Sequence, residues 1–322
     1  MAATILGLDV GGANLKAATP DRRAASVPFP LWKQPDKLPR ALADVVSKFP
    51  DAEELAVTMT GELCDCFETK REGVHAIIKA VRFASGGRPI RVWSTDGAFL
   101  NSEEAKANHL KVAAANWHAL ATFAGQYVPE GRAILVDVGS TTTDVIPILD
   151  GKPVPRGLTD YDRLLNQELV YTGVRRTPVC AVMPWVVAAE LFATTLDVYL
   201  VLGAIPEDPA DTDTADGRPA TRKHARARLA RMLCADADLL PEGDVTSLAE
   251  SVRDGQIVRL RECLTAAASH LWELHKGAAN PPPSTLMKVL MAVGFFRQRA
   301  VEAEVAKILG AANAPKDVAY IV

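Results

Sequence analysis

The chain has 322 residues, of which 48% are hydrophobic and 23% charged, and its formal net charge at pH 7 is −3. These values predict a globular protein of about two domains and argue against a broad nucleic-acid-binding surface. No apolar run is long enough to span a membrane, so we expect no membrane partner. Five scattered cysteines predict reduced thiols, and a strand that starts within a few residues of Met1 leaves no room for a signal peptide. The expected compartment is the cytoplasm.

The first half of the chain alternates strand and helix patterns. Apolar and β-branched runs predict strands at 4–9, 15–19, 55–60 and 90–93. Helical spacing predicts helices at 38–49, with Asp36 as a cap, at 73–83, and from Ser102 toward Tyr127.

The second half repeats the opening pattern from about Gly131. It predicts strands at 145–149, 152–155, 179–183, 198–202, 286–293 and 318–322, and helices at 159–170, 222–234, 247–276 and 296–309. Residues 207–219 are rich in Asp, Thr, Pro and Gly and predict a mobile loop, and the basic residues of 222–231 predict one solvated helix face. We therefore expect two α/β domains, 1–130 and 131–322, with a cleft between them and a helical insertion in the second around 205–280.

Two short segments, one opening each half, share a pattern typical of phosphate binding. Each is an apolar strand that ends in Asp-Val-Gly and is followed by small polar residues. Glycine permits the positive φ of a tight turn and lets backbone N–H groups approach an anion, while hydroxyl groups add donors. The predicted phosphate contacts are Gly11, Gly12, Asn14, Lys16, Gly139, Ser140, Thr141, Thr142 and Thr143. Lys16 could instead face solvent.

An aspartate beside a phosphate implies a cation. Two like charges ~4 Å apart cost roughly 4 kcal/mol at an effective dielectric near 20. Mg²⁺ is the expected ion, because it combines one or two carboxylates with phosphate oxygens and water. Asp9 and Asp137 are its predicted ligands. Asp144 is a third candidate ligand that could equally cap the turn.

These segments resemble the phosphate loops of the acetate kinase, sugar kinase, actin and Hsp70 superfamily. The resemblance implies an α/β fold of two actin-like (ribonuclease-H-like) domains with a central cleft. Within the superfamily the chain is similar to the hydantoinase/oxoprolinase-like branch. Three further stretches resemble the archaeal methanofuran-biosynthesis ether synthases and their bacterial relatives in the tetrahydromethanopterin-linked one-carbon pathway: 58–74, 116–117 and 168–178.

That resemblance implies a transferase that joins an aminomethylfuran-methyl diphosphate to the phenol oxygen of a tyramine or tyrosine derivative and releases diphosphate. Superfamily kinases carry a glycine-rich adenosine loop, but the corresponding residues 291–297 hold one glycine followed by Phe295 and Phe296. These rings could stack on a furan or phenol ring or could fill the core. ATP is therefore not expected, although an ATP-dependent small-molecule kinase or an oxoprolinase-like hydrolase remains the alternative. A nucleotide switch without turnover is a third class.

A phenol has a pKa near 10, so its attack at neutral pH calls for a general base. Glu62 is the first candidate because it follows a buried strand end, and Asp65 is the second. Lys70 could stabilise a phenolate or diphosphate. Each of these three could instead be a solvated surface charge.

Other side chains are weaker candidates for contacts with the substrate. Asn116 could contact substrate beside a core Trp117, and Arg175 could pair with an anionic substrate group or lie in a solvated loop. Cys64 and Cys66 lack a second ligand pair, so no zinc site is expected near them. The sequence does not identify the acceptor. It also leaves the oligomeric state open, with a homo-oligomer among the alternatives.

Overall fold

The computed structural model describes residues 4–183, 186–236, 238–276, 288–293 and 318–321. The chain divides into two compact units. The first comprises Met1–Phe123 with Gly157–Asp162, and the second Ala124–Arg156 with Arg163–Val322. In the described ranges, no helix is long and apolar enough to cross a membrane.

The first unit is built on a mixed sheet with strand order β3-β2-β1-β4-β5-β6. Strands β1, β4 and β5 run parallel, and β2, β3 and β6 are antiparallel to their neighbours. The parallel strands bury alternate or successive apolar residues, which fixes their register against the helices. The strands are β1 Ile5–Val10, β2 Asn14–Ala18, β3 Ala24–Pro28, β4 Glu54–Met59, β5 Ile90–Trp93 and β6 Phe99–Leu100.

Two amphipathic helices, α1 and α2, pack on this sheet and close its core. The Thr69 side chain accepts a hydrogen bond from the Glu72 N–H at the start of α2, and Gly86 ends α2 with φ of 59°. Asp36 does not cap α1, which begins after Lys37 without a side-chain cap. The helices of this unit are α1 Leu38–Val46, α2 Lys70–Ser85, α3 Ser102–Ala107, α4 His109–Val112 and α5 Asn116–Gly125.

The single long helix predicted from Ser102 toward Tyr127 is wrong. The segment forms α3, α4 and α5, and Asn101, not Ser102, caps the first of them through a capping box with Glu104. The break before α5 contains Ala114, whose φ is 48°. A non-glycine residue adopts this left-handed conformation only where surrounding structure enforces it.

The second unit repeats the topology of the first. Its sheet has the order β10-β8-β7-β11-β12, with β9 paired to β8; β7, β11 and β12 are parallel, and β8 and β10 are antiparallel to their neighbours. The predicted α/β class and the duplication of one α/β domain are therefore confirmed. The strands are β7 Arg132–Val138, β8 Thr143–Leu149, β9 Lys152–Pro153, β10 Leu169–Val170, β11 Lys288–Val293 and β12 Val318–Ile321.

Helices of the second unit correct three sequence predictions. Residues 179–183 and 198–202 were predicted as strands but belong to helices, and the helix predicted over 159–170 ends at Leu165 before β10 begins. The helix predicted at 296–309 lies outside the described residues. The helices are α6 Asp160–Leu165, α7 Val179–Val182, α8 Thr195–Val201, α9 Arg222–Met232 and α10 Glu242–Lys276.

Buried ion pairs hold the loop predicted to be mobile at 207–219. Arg175 donates to both carboxylate oxygens of Asp211, at 2.7 and 2.9 Å. Arg228, on α9, is 0% exposed and pairs with Asp197 at 2.7 Å and Asp216 at 2.9 Å. The prediction that the basic residues of α9 form one solvated face is therefore wrong for Arg228, whose charge is neutralised inside the unit.

Candidate functional site

The two predicted phosphate segments fold as matching β-hairpins. In the first, Asp9 lies opposite Lys16, and the Gly11 N–H donates to the Asn14 carbonyl at 3.0 Å. In the second, Asp137 lies opposite Asp144, and the Gly139 N–H donates to the Thr142 carbonyl at 2.8 Å. Each aspartate is the penultimate residue of its first strand. The sequence repeat is thus a structural repeat, with the acidic residue at the same position of both turns.

Close packing, rather than positive φ, explains the glycines of these turns. Gly11, Gly12 and Gly139 do not have positive φ, so the conformational reason given for them was wrong. A Cβ at Gly11 would lie 2.8 Å from the Asn14 carbonyl oxygen, and one at Gly12 would lie 2.7 Å from Cys64 Sγ. A side chain at Gly11 would thus meet the backbone of its own turn, and one at Gly12 would meet a neighbouring side chain.

The two carboxylate oxygens of Asp9 have different surroundings. Lys16 Nζ lies 3.4 Å from Oδ2, while the buried Oδ1 has no hydrogen-bond partner among the residues that the structure describes. A buried oxygen in this state indicates a site for a cation or a donor, because leaving it unpaired costs ~1–3 kcal/mol. Lys16 itself is 60% exposed, so it can move toward an anion with little loss of stability.

The second hairpin brings two carboxylates together, because directly opposite residues of antiparallel strands point to the same face. Arg163, 1% exposed, donates from Nη2 to Asp144 Oδ1 at 2.6 Å and to the Glu168 carbonyl at 3.1 Å. Asp144 lies in β8 and is held by this arginine, so it does not cap the turn. Its predicted role as a metal ligand stays a prediction.

The loop 171–178 packs against the second turn and holds it through hydrogen bonds. Thr143 Oγ1 donates to the Thr172 carbonyl at 2.6 Å, and the Arg176 N–H donates to the Ser140 carbonyl at 2.8 Å. A Cβ at Gly173 would lie 2.6 Å from Thr141 N, so only glycine fits there. This stretch, singled out by its resemblance, therefore fixes the backbone of the turn. The Arg175 N–H also donates to the Ser140 carbonyl, at 3.1 Å, and the Arg175 side chain pairs with Asp211. Its contact with an anionic substrate group stays a prediction.

The predicted base Glu62 sits in a buried cluster at the carboxyl end of β4. It is 1% exposed, Lys70 Nζ lies 3.9 Å from its Oε1, and its buried Oε2 has no hydrogen-bond partner in the described part of the chain. Burial raises the pKa of Glu62 to about 7, and the backbone N–H groups of Glu62 and Ala114 and the Lys70 ammonium oppose that rise. A carboxylate near half-ionised at neutral pH has the properties of an acid–base group.

Lys70 also pairs with Asp160, at 3.2 Å, a residue that sequence reasoning missed. Lys70 thus lies between two carboxylates, which holds its ammonium in place at the first residue of α2. Gly73 allows this arrangement, because a Cβ there would lie 2.1 Å from the Glu62 carbonyl oxygen. No local sequence pattern indicates the Lys70–Asp160 pair, because 90 residues separate its members.

The remaining predicted residues are not part of the cluster of Glu62, Lys70 and Asp160. Asp65 is exposed, Asn116 is half-buried at the start of α5, and Trp117 is buried in the core as predicted. Cys64 and Cys66 are free thiols. Phe295 and Phe296 lie outside the described residues.

The donor set fits a magnesium ion held jointly with phosphate oxygens. Within the described parts of the chain, no group of three or more His, Cys, Asp or Glu side chains could hold a metal alone. Mg²⁺ does not need such a group, since one or two carboxylates suffice when phosphate and water complete its shell. The unpartnered Asp9 Oδ1 is the observation that favours a cation here.

Comparison with known proteins agrees with this geometry. The family model described as hydantoinase/oxoprolinase matches residues 53–256. A protein of Methanocaldococcus jannaschii named "(4-{4-[2-(gamma-L-glutamylamino)ethyl]phenoxymethyl}furan-2-yl)methanamine synthase" is 39% identical over 270 residues, 80% of each chain. A Methanococcus vannielii protein of the same name is 39% identical over 137 residues, 40% of this chain and 61% of that protein. The chain belongs to the hydantoinase/oxoprolinase family, in the group of these synthases.

Solved structures show weaker likeness. Nucleotide-free acetone carboxylase aligns at 11% identity and a TM-score of 0.48, over 90% of this chain and 65% of that one. The ethanolamine utilization protein EutJ from Carboxydothermus hydrogenoformans aligns at 11% identity and a TM-score of 0.45, over 99% of this chain and 85% of that one. The predicted family resemblance is confirmed by the curated relatives.

Proposed function

We propose that this protein is a transferase of methanofuran-type cofactor biosynthesis. It joins a furan-methyl diphosphate to the phenol oxygen of a tyramine or tyrosine derivative and releases diphosphate. The observation that carries this proposal is the 39% identity to synthases over 80% of both chains. The printed name of those relatives describes a phenoxymethyl-furan, which is the ether that such a reaction makes.

The reaction balances without an oxidant or a nucleotide. The bond between the furan-methyl carbon and the diphosphate oxygen breaks, and the electron pair leaves with diphosphate. A phenol oxygen forms the new bond to that carbon, and the phenol proton goes to a base. Each hairpin turn is a proposed phosphate-binding element with backbone N–H groups that suit an anion, and Asp9 and Asp137 are the candidate carboxylates for Mg²⁺. When bound, Mg²⁺ would stabilise the negative charge of the leaving group.

Glu62 is the proposed acceptor of the phenol proton. Its Oε2 has no hydrogen-bond partner within the described ranges, so it can accept from a phenol O–H without breaking a bond seen there. A pKa of about 7 leaves roughly half of the enzyme with an ionised base at neutral pH. Lys70, next to Oε1, stabilises the negative charge that this cluster carries before the proton arrives.

The direct test is to incubate the purified protein with furan-methyl diphosphate and tyramine, with Mg²⁺, and to follow ether and diphosphate by mass spectrometry. We expect both products in equal amounts, and a loss of ~10²- to 10⁴-fold in kcat for Glu62→Gln. Asp65→Asn, an exposed carboxylate in the same turn, is the matched control and should keep its activity. Absence of ether with tyramine, tyrosine and glutamylated tyramine, together with phosphate release from ATP, would replace this proposal by the kinase or hydrolase alternative.

A further inference from the structure

Two carboxylates of the first unit share one ammonium group. Lys70 Nζ, on the first residue of α2, lies 3.2 Å from Asp160 Oδ2 and 3.9 Å from Glu62 Oε1. Asp160 is the first residue of α6 and belongs to the segment Gly157–Asp162, which is part of the first unit. Glu62 is 1% exposed and its two neighbours are 21% and 25% exposed, so water screens these charges only weakly.

The two carboxylates contact the ammonium differently. Lys70 Nζ donates a hydrogen bond to Asp160 Oδ2 at 3.2 Å, whereas the 3.9 Å to Glu62 Oε1 is too long for a hydrogen bond. An ammonium has three donors, so Lys70 could in chemical terms donate to both carboxylates. The attraction of Asp160 explains why the ammonium lies nearer to the more exposed carboxylate than to the buried one.

We propose that Asp160 is a positioning residue, which holds the Lys70 ammonium beside Glu62 but out of hydrogen-bond contact with it. A direct pair with Lys70 would stabilise the ionised Glu62 and make it a weaker base. With no ammonium nearby, a carboxylate buried this deeply would resist ionisation at neutral pH. The longer distance lets Glu62 ionise and still accept a proton. This inference rests on the proposed function for the identity of the proton donor, a phenol.

The groups around Glu62 act on its charge in opposite directions. Burial raises the pKa of Glu62 to about 7; the N–H groups of Glu62 and Ala114 and the Lys70 ammonium oppose that rise, and the charge of Asp160 adds to it. Cys64, in the same loop, is uncharged near pH 7, because burial raises the pKa of its thiol to about 11. Asp160 therefore strengthens the base twice, through its own charge and by drawing Lys70 away.

The pKa of Glu62 can be measured without any substrate, by NMR titration of protein that carries ¹³C in its glutamate carboxyl groups. The Glu62 resonance is the one that Glu62→Gln removes. Asp160→Asn should lower this pKa by about 1 pH unit, because a negative charge is lost and Lys70 can approach. Lys70→Met should raise it by about the same amount, because a neutral side chain of similar length replaces the ammonium.

Three further variants separate positioning from a general effect of charge or folding. Asp160→Glu keeps the negative charge and should leave the pKa of Glu62 within about 0.3 of the wild-type value. Asp51→Asn breaks an ion pair with Arg23, at 2.8 Å, before the start of β4, whereas Glu62 follows its end, so the pKa should not change. In the Lys70→Met background, Asp160→Asn should have a smaller effect than in the wild type, because its action through Lys70 is gone.

The pH dependence of the ether assay shows what this arrangement does for the reaction. Asp160→Asn should move the acidic limb of the kcat profile to lower pH by the same amount as the pKa of Glu62. It should also lower the highest kcat about 2- to 5-fold, because a weaker base takes the proton less readily, with the KM for the acceptor changed less than about twofold.

The two measurements separate this inference from the proposed function. If Asp160→Asn and Lys70→Met leave the pKa of Glu62 unchanged, or move it in the same direction, the positioning proposal is overturned whether or not ether forms. A pKa that Lys70→Met does not raise overturns it alone, which keeps a test in hand if Asp160→Asn does not fold. If the two variants move the pKa in opposite directions but no acceptor yields ether, the positioning of Lys70 stands and the transferase proposal fails.

Discussion

Glutamine at position 62 removes a buried charge and should alter how stability depends on pH. Burial raises the pKa of Glu62 from 4.5 to about 7. The folded state then binds this proton more tightly than the unfolded chain between those two values, so the free energy of unfolding falls as pH rises through that window. The loss is complete above pH 7 and absent below pH 4.5, and a shift of this size corresponds to roughly 3 kcal/mol.

Glutamine has the same shape but no titrating group. The free energy of unfolding of Glu62→Gln, relative to the wild type, should therefore increase by roughly 2–3 kcal/mol between pH 5 and pH 8. Urea unfolding followed by circular dichroism at pH 5, 6, 7 and 8 measures this difference. The activity of Glu62→Gln should fall while its stability at pH 8 rises relative to the wild type. Such a trade-off is expected where a protein keeps an unfavourable buried charge for its function.

Asp65→Asn removes an exposed carboxylate three residues further along and serves as the reference for nonspecific charge effects. Its pH dependence should follow that of the wild type. If the Glu62→Gln and wild-type curves run parallel from pH 5 to pH 8, then Glu62 does not titrate in that range, and its assignment as the base loses its electrostatic foundation.

Two further substitutions test the packing of the second unit. Gly173→Ala places a methyl group 2.6 Å from the Ser140 carbonyl carbon, so it should lower both the melting temperature and the activity. The control is Gly243→Ala: a Cβ there has no described atom within 4 Å, so the melting temperature should stay the same or rise. Arg228→Met strands the buried carboxylate of Asp197 and should cost ~3–5 kcal/mol in urea unfolding, with much of the loss recovered when Asp197→Asn is added; equal losses in the single and double variants would contradict this reasoning.

The strands and turns at the site could be predicted from sequence because their causes are local. An apolar run that ends in Asp-Val-Gly specifies both a buried strand and a turn, and β1 and β7 lie where this pattern placed them; β4 lies where its own apolar, β-branched run placed it. The placement of Glu62 followed from the same rule, since a residue just beyond a buried strand lies at the sheet's carboxyl edge.

Predictions failed where distant residues decide the local conformation. The alanines at 113–115 favour a helix, yet the backbone N–H of Ala114 is directed at the Glu62 carboxylate, and the helix breaks there. Residues 198–202 look like a strand, but Thr194 and Asp197 form a capping box that starts a helix instead. The capping-box residues Thr194 and Asp197 could have been recognised in the sequence, whereas the contact between Ala114 and Glu62 could not.

The duplicated hairpins have the same backbone but different electrostatics. At the first, a lysine lies opposite the aspartate, so Asp9 and Lys16 together carry no net charge. At the second, an aspartate lies opposite the aspartate, and the Arg163 guanidinium pairs with Asp144 at 2.6 Å.

At the first hairpin the Lys16 ammonium competes with any cation for the Asp9 carboxylate. The same lysine favours a phosphate there, because it is 60% exposed and can leave Asp9 for an anion. The repeat therefore keeps the acidic turn in both copies but changes the residue opposite its aspartate, which is a lysine in the first and an aspartate in the second.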